Sequence, residues 1–383
     1  MRLGNPFWLA ALATLPAAQA ALAQTVPQPI WPVGNAELRL AGVAEGAVSG
    51  AGRASGLLAV SPLLRRDYDS GLSLSLGSRI VAADPLSRGR YDGDALEYLA
   101  ASARTGLGRF EVGLTDGAGY QLAVTGPKVE PGVALDDART SLFADPAGRA
   151  VTNLLALRSA VGASSNYAKF AYVSPSLFGA TLALSFAPSE GKQLPFLNAG
   201  PQVPGRQADF WEAAVKYEVE AGPVSLSAYG AVAEGRAEHK LPGQEGVSDL
   251  GAGLRADWPV TDNITVSAGG ALRQSNAYGF DINQSWQAGA TRTGHVSAMV
   301  SDGAWRAGVE YGTGTADAVA ALPRLGMTGW EASLGYTVSP GMRVTTGWQR
   351  LDYSRSSGAF FNGLPRLKLD AVFLHLHLAT SDQ

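Results

Sequence analysis

Val224-Ser225-Leu226-Ser227-Ala228-Tyr229-Gly230-Ala231-Val232 is the stretch whose reading decides the fold. Val224, Leu226, Ala228, Gly230 and Val232 fall on one side, and Ser225, Ser227, Tyr229 and Ala231 on the other. A period of two belongs to a β-strand, whose successive side chains point to opposite faces. The pattern returns at Leu72, Leu74 and Leu76, with Ser73, Ser75 and Arg79 on the polar side. It returns again at Leu182, Leu184 and Phe186, at Ile264, Val266 and Ala268, and at Trp330, Ala332, Leu334, Tyr336 and Val338. One face of each strand thus meets an apolar medium. The other is rich in Ser, Thr and Gly, with scattered Lys, Arg and Glu.

Composition narrows the class. Of 383 residues, 16% are charged, against about 25% in a soluble globular chain. Mean hydropathy is nevertheless near zero, and the chain after the N-terminus has no apolar run of the roughly 18 residues that a membrane-crossing helix needs. Gly accounts for 47 of 383 residues, about 12% against a usual ~7%, which disfavours a helix-rich fold. With no Cys, disulfide scaffolds, thiolate zinc sites and thiol nucleophiles are excluded. A net charge of −3 gives no footing for nucleic acid.

Residues 1–23 read as a cleaved signal peptide. Arg2 is the positive start, Phe7 to Leu15 the apolar stretch, and Ala21-Leu22-Ala23 the cleavage site, with Ala18-Gln19-Ala20 as second choice. The run is too short to span about 30 Å of hydrocarbon. Losing Arg2 takes the net charge from −3 to −4. Residues 24–35, punctuated by Pro, read as an extended tail, and 36–383 as the folded barrel domain.

The alternating runs are expected at 36–46, 53–66, 71–84, 95–105, 109–124, 164–174, 178–188, 208–220, 223–234, 248–258, 263–275, 286–301, 304–313, 328–338, 341–353 and 366–379. Short turns such as Asp69-Ser70-Gly71 and Ser339-Pro340-Gly341 alternate with longer polar connections. That asymmetry belongs to an outer-membrane barrel, with short periplasmic turns and long outer loops. Backbone groups in lipid must all pair, so the sheet must close. The expected fold is all-β: a sixteen-stranded antiparallel transmembrane β-barrel, wide enough for a water-filled lumen. Trp211, Tyr217, Trp258, Trp286, Trp305, Trp330, Tyr336 and Trp348 are expected to form interfacial girdles.

One connection, 125–164, is far longer than the ~15 residues beyond which loops tend to be functional. It carries Glu130, Asp136, Asp137 and Asp145, then Arg139, Arg149 and Arg158, and its apolar part from Asn153 to Ala160 suits packing inside something. It is bracketed by Gly108-Arg109-Phe110-Glu111-Val112-Gly113-Leu114-Thr115-Asp116-Gly117-Ala118 and by Ala168-Lys169-Phe170-Ala171-Tyr172-Val173-Ser174-Pro175-Ser176-Leu177-Phe178-Gly179. These two stretches resemble the fifth-strand signature and the Tyr-x-Ser-Pro-x-Phe-Gly element of the trimeric general porins of Gram-negative bacteria. With Leu122-Ala123-Val124-Thr125-Gly126-Pro127, the sequence is most similar to the alphaproteobacterial type.

The resemblance implies a homotrimer in the outer membrane, in contact with its lipid. It implies a third outer loop folded inward, passing ions and small hydrophilic solutes by passive diffusion without a cofactor. Carried over by position, Glu130, Asp136, Asp137 and Asp145 would line the constriction. Facing them, strand alternation nominates Arg39, Arg79, Lys169, Lys216, Arg255, Arg273 and Arg343 as the basic pore wall, Arg79 at mid-height. Opposed charges of this kind set ion preference. The family usually ends in an aromatic residue read during assembly. Here the chain runs Leu376-His377-Leu378-Ala379-Thr380-Ser381-Asp382-Gln383, which leaves Phe373, inside the strand, as the alternative.

Other chemistry finds no footing. His375 and His377 share one strand face and could begin a metal site, but no third ligand lies nearby in sequence, and two lumenal imidazoles are expected. His295 and Ser297 share a face like the pair of outer-membrane phospholipase, yet Val296, Ala298 and Val300 take the lipid side. Asp92-Gly93-Asp94 offers too few oxygens for Ca²⁺. Gly251-Ala252-Gly253 leads into no helix and makes no phosphate cradle. A short tail before the first strand leaves no room for the plug of a TonB-dependent receptor. A substrate-selective channel, or a structural or adhesive barrel with a closed lumen, remain the rival readings.

Overall fold

The computed structural model describes residues 29–51, 53–83, 96–136, 142–143, 146, 157–164, 167–190, 206–238, 240–279, 289–319 and 322–380. The expected signal peptide, Asp137, Asp145, Arg139, Arg149, Asp92-Gly93-Asp94, His239 and Trp286 lie outside them.

Among the described residues, seventeen strands form one sheet. After the short β1 (Ile30–Val33) come β2 (Ala36–Ser49), β3 (Arg53–Asp67), β4 (Ser73–Ala83), β5 (Leu96–Thr105), β6 (Gly108–Leu114), β7 (Ala168–Val173), β8 (Ala180–Ser189) and β9 (Gln207–Ala221). The ring continues with β10 (Val224–Ala237), β11 (Ser248–Pro259), β12 (Ile264–Ser275), β13 (Thr291–Asp302), β14 (Trp305–Ala316), β15 (Leu325–Ser339), β16 (Met342–Arg355) and β17 (Arg366–Ala379). Each strand from β2 to β17 pairs antiparallel with the next, and β17 returns to β2 over Phe373↔Ser49 to Ala379↔Val43. The sixteen expected strands are thus β2 to β17, and they close a barrel.

Three features depart from the sequence reading beyond shifts of a few residues at strand ends. Part of the expected tail is strand: Ile30–Val33 folds back on β2 through Gly34 and Asn35, with Gly34 at φ 61, a backbone region open to Gly. β1 covers the edge of β2 at 36–39, below the stretch that β17 covers. The expected strand 109–124 ends at Leu114, and the chain turns inward through the helical turn α1 (Ala118–Gln121). Gly113 (φ 134) and Gly117 allow that exit: a Cβ at Gly117 would collide with the Glu212 carboxylate. Finally, Phe373 is fully buried, its ring over Gly347 on the inner face. It therefore offers no outward aromatic, the outer face of β17 being Val372, Leu374, Leu376 and Leu378.

The outer face shows where the membrane sits. Trp305 and Tyr336 stack at 4.6 Å, and Tyr311 and Trp330 at 4.5 Å six residues further along the same two strands. Tyr217 and Trp211 repeat that separation on β9, Trp211 stacking on Phe186 at 4.4 Å. Six residues advance about 20 Å along a strand, which at a barrel's tilt gives two aromatic rows bounding an apolar band. Beyond the upper row the outward positions turn ionic: Arg236 pairs with Asp209, and Arg366 with Asp352.

The core lies inside. One apolar cluster joins Val133, Leu135, Leu142, Phe143 and Leu157 of the long loop to Met327, Leu351, Tyr353 and Phe373 of the wall. A second joins Ala118, Leu122, Val124 and Val161 to Phe210, Ala214, Tyr229 and Ala231. The long loop is therefore the filling of the barrel.

Candidate functional site

The loop between β6 and β7 runs along the inner wall, and the wall's hydrogen bonds trace its course. Ser297 donates to the carbonyl of Pro127 at 2.6 Å, Gln349 to that of Val133 at 2.9 Å, and Ser49 to that of Leu142 at 2.9 Å. On the way back, Thr293 donates to the carbonyl of Arg158 at 2.8 Å. Within the loop, the carboxylate of Asp136 accepts from the Ser159 N–H and hydroxyl, each at 2.9 Å, so the outgoing and returning arms are bridged.

Magnitudes separate what seats the loop from what aligns it. Burying each of Val133, Leu135, Leu142, Phe143 and Leu157 contributes roughly 2 kcal/mol, on the order of 10 kcal/mol together, as an upper bound. Neutral hydrogen bonds contribute about 1 kcal/mol each. Apolar burial seats the loop, and the polar contacts set its register.

The nominated residues fall into two groups. Glu130 and Asp136 do not line an open constriction: they are 0% and 1% exposed. Glu130 is ion-paired to Arg343 at 2.7 Å and also accepts from the N–H of Gly132. Asp136 faces Lys128 at 3.4 Å besides Ser159. The seated loop turns Glu130 onto the wall at Arg343 and closes Asp136 between its own two arms. Lys169 likewise is no lumenal cation: fully buried, its ammonium donates to the carbonyl oxygens of Thr115, at 2.5 Å, and Ser164. Arg273 is locked bidentately to Asp249 at 2.8 Å with both side chains buried.

The others stay partly exposed on inward-facing positions of their strands. Arg79 pairs with Glu97 at 3.0 Å and keeps part of its surface exposed. Arg39, Lys216 and Arg255, each toward the turn end of its strand, pair with Glu37, Glu218 and Asp257. The structure adds residues that the sequence reading missed. Arg104 and Arg109 face inward on β5 and β6 as a register pair, Arg104 exposed and Arg109 partly exposed and bonded to Glu111 and Gln121. Glu212 binds both ends of the loop, accepting from Gly119 N–H at 3.1 Å and from the Ser164 N–H and hydroxyl at 2.7 Å. Glu310 and Glu331 lie opposite one another under the loop, Glu310 bound to His295 and to the N–H of Leu135, Glu331 to Gln349. Inward parity on strands was the one available signal for all of these.

The architecture, a closed sixteen-stranded ring with a loop seated inside it, can now be compared with known proteins. A family model described as Gram-negative porin matches residues 9–356. The chain belongs to the Gram-negative porin family. Among solved structures, the trimer form of OmpT, an outer membrane protein of Vibrio cholerae, matches this porin with a TM-score of 0.53 at 12% identity, over 90% of this chain and 99% of that one. An anion-selective porin from Comamonas acidovorans matches at a TM-score of 0.50 and 12% identity, again over 90% and 99%. A mutant of the Rh. blastica porin matches at 0.50 and 15%, over 89% and 99%. No curated protein matches the porin in sequence. At these identities the structures establish the shared barrel. The family establishes an outer-membrane porin, and its fold is that of a channel.

Proposed function

We propose that this porin is a general diffusion channel. It passes ions and small hydrophilic solutes down their gradients with no chemical turnover and no cofactor. It works in the outer membrane as a homotrimer, after export and removal of residues 1–23. The observation that carries the reading is the asymmetric filling of the barrel. The loop's apolar residues cover the inner wall from β8 to β17, while Arg79, Arg104 and Arg109 on β4 to β6 keep exposed surface on the inner face. An opening between the fixed loop and those guanidinium groups would suit hydrated solutes. The trimer is supported by the Vibrio cholerae protein, which is described in a trimer form.

Reconstitution of the mature protein in a planar bilayer under a salt gradient tests the proposal. Large, stable current steps, grouped in threes for a trimer, are expected, with a reversal potential that gives the ion preference. Well-inserted but silent protein would overturn it in favour of a closed structural barrel. Saturation of current by one solute class would favour a selective channel.

A further inference from the structure

His375 and His377 project from one face of β17, and the fold brings them the partners that the local sequence lacks. Glu45 comes from β2, across the seam where the barrel closes, by the register His377↔Glu45. Glu130 comes from the loop inside. His377 Nδ1 lies 3.1 Å from Glu45 Oε1, and His375 Nδ1 lies 3.8 Å from Glu130 Oε2. One donor atom each of Glu45, Glu130 and His377 can be chosen so that all three fall within 4.8 Å of one another. Three separate parts of the chain thus converge on one point: the first barrel strand, the last one, and the constriction loop.

We propose that Glu45, Glu130 and His377, with His375 as the fourth donor, bind a transition-metal dication of the zinc class. Two imidazoles and two carboxylates make a nitrogen and oxygen set suited to zinc, with copper and nickel as competitors. Tetrahedral donors at zinc distances stand about 3.3 Å apart, so side-chain rotations close Glu45, Glu130 and His377 from within 4.8 Å, and His375, whose Nδ1 is 3.8 Å from Glu130 Oε2, turns in to complete the set. The Glu130 carboxylate is already oriented, by Arg343 at 2.7 Å and the Gly132 N–H at 3.1 Å, as outer partners orient ligands in metal sites. Gly132 keeps the centre open: a Cβ there would lie 2.7 Å from His375 Nε2 and 3.1 Å from Glu45 Oε2. Glu45, Glu130 and His375 are buried and His377 is partly exposed, which gives the ion an approach from the lumen. A bound dication would rivet the loop to both sides of the seam.

The test is direct and needs no channel recording. Tag-free mature protein, stripped with a chelator, is titrated in detergent with Co²⁺ and then with Zn²⁺. One Co²⁺ per chain is expected, with the intense visible absorption of four-coordinate cobalt, bleached by stoichiometric Zn²⁺. Glu45→Gln and His377→Gln are each expected to weaken binding by more than the roughly 10- to 100-fold that loss of an outer partner costs, while His295→Gln, in a separate cluster, retains it. Zinc is expected to raise the melting temperature of the unsubstituted protein and not that of the His377→Gln variant. Absence of Co²⁺ binding to the unsubstituted protein would overturn the proposal, whether or not the variants fold. Undiminished binding in both the Glu45 and His377 variants would overturn it equally. Either result leaves the diffusion reading untouched, because conductance is measured separately.

Discussion

Lys169 on β7 and Glu212 on β9 grip the same loop residue from opposite chemical sides. The ammonium donates to the Ser164 carbonyl oxygen, and the carboxylate accepts from the Ser164 N–H and hydroxyl, both at 2.7 Å. The same two groups hold the start of the loop, Lys169 through the carbonyl of Thr115 and Glu212 through the N–H of Gly119. The loop's two ends are thereby fastened at one buried point. Removing one member of a buried charged set leaves the other uncompensated, at a cost of about 3–5 kcal/mol. Glu212→Gln is expected to destabilise the barrel by that order in urea unfolding and to add flicker to single-channel current. Ser164→Ala, which deletes only the hydroxyl contact to the carboxylate, should cost about 1.5–3 kcal/mol. Equal stability of Glu212→Gln and the unsubstituted protein would refute the clasp.

Glu130 and Arg343 form the second fastening, a 2.7 Å pair between loop and wall with the carboxylate fully buried. A double-mutant cycle with Glu130→Gln and Arg343→Met isolates their coupling. Contacting residues of one network couple by about 0.5–3 kcal/mol, so the double variant should lose less stability than the two single losses combined. Strict additivity would mean that the pair forms no working link between loop and wall.

Much of the barrel is legible in period-two alternation, because one face of every strand meets lipid and the other does not. The strand from Arg366 to Ala379 begins and ends where the alternation does. The pattern misleads where lumenal structure replaces lumenal water. Residues 115–124 continue to read as strand, yet Gly117 and Gly119 let the chain turn into the interior, and no local signal marks that departure. The same cause explains the site residues. Alternation identified Lys169, Arg273 and Arg343 as inward-facing, and they are. It does not say whether an inward position meets water or the loop. Partners such as Glu212 for Ser164, or Glu45 for His377, are set by barrel closure across long stretches of chain and leave no local trace.

Glycines of the wall make the seat for the loop. A Cβ at Gly253 on β11 would collide with the carbonyl oxygen of Val124, and its backbone needs no unusual φ. Gly253→Ala should therefore leave the strand intact and push the loop away. Unchanged far-UV dichroism and heat-modifiable gel mobility are expected, together with an altered unitary conductance. The same substitution at Gly230, where a Cβ would meet nothing within 4 Å, should leave conductance unchanged. If both variants conduct like the unsubstituted protein, the backbone of the loop is not held against β11.

The partly exposed arginines of β4 to β6 are expected to set the charge that a permeating ion meets. Arg79 is paired with Glu97 at 3.0 Å, with side-chain exposures of 29% and 12%. A partly solvated pair of this kind contributes at most about 1 kcal/mol, so Arg79→Ala should fold and unfold nearly as the unsubstituted protein does. Its effect should fall on permeation instead. Removing a lumenal positive charge leaves Glu97 less neutralised, which raises the local cation concentration and lowers that of anions. The reversal potential in a salt gradient is expected to move toward cation preference, and Arg104→Ala should move it in the same direction. The shift should shrink at 1 M salt, where the screening length falls to about 3 Å. A reversal potential unmoved by either substitution at low salt would place the conducting path elsewhere than along β4 to β6.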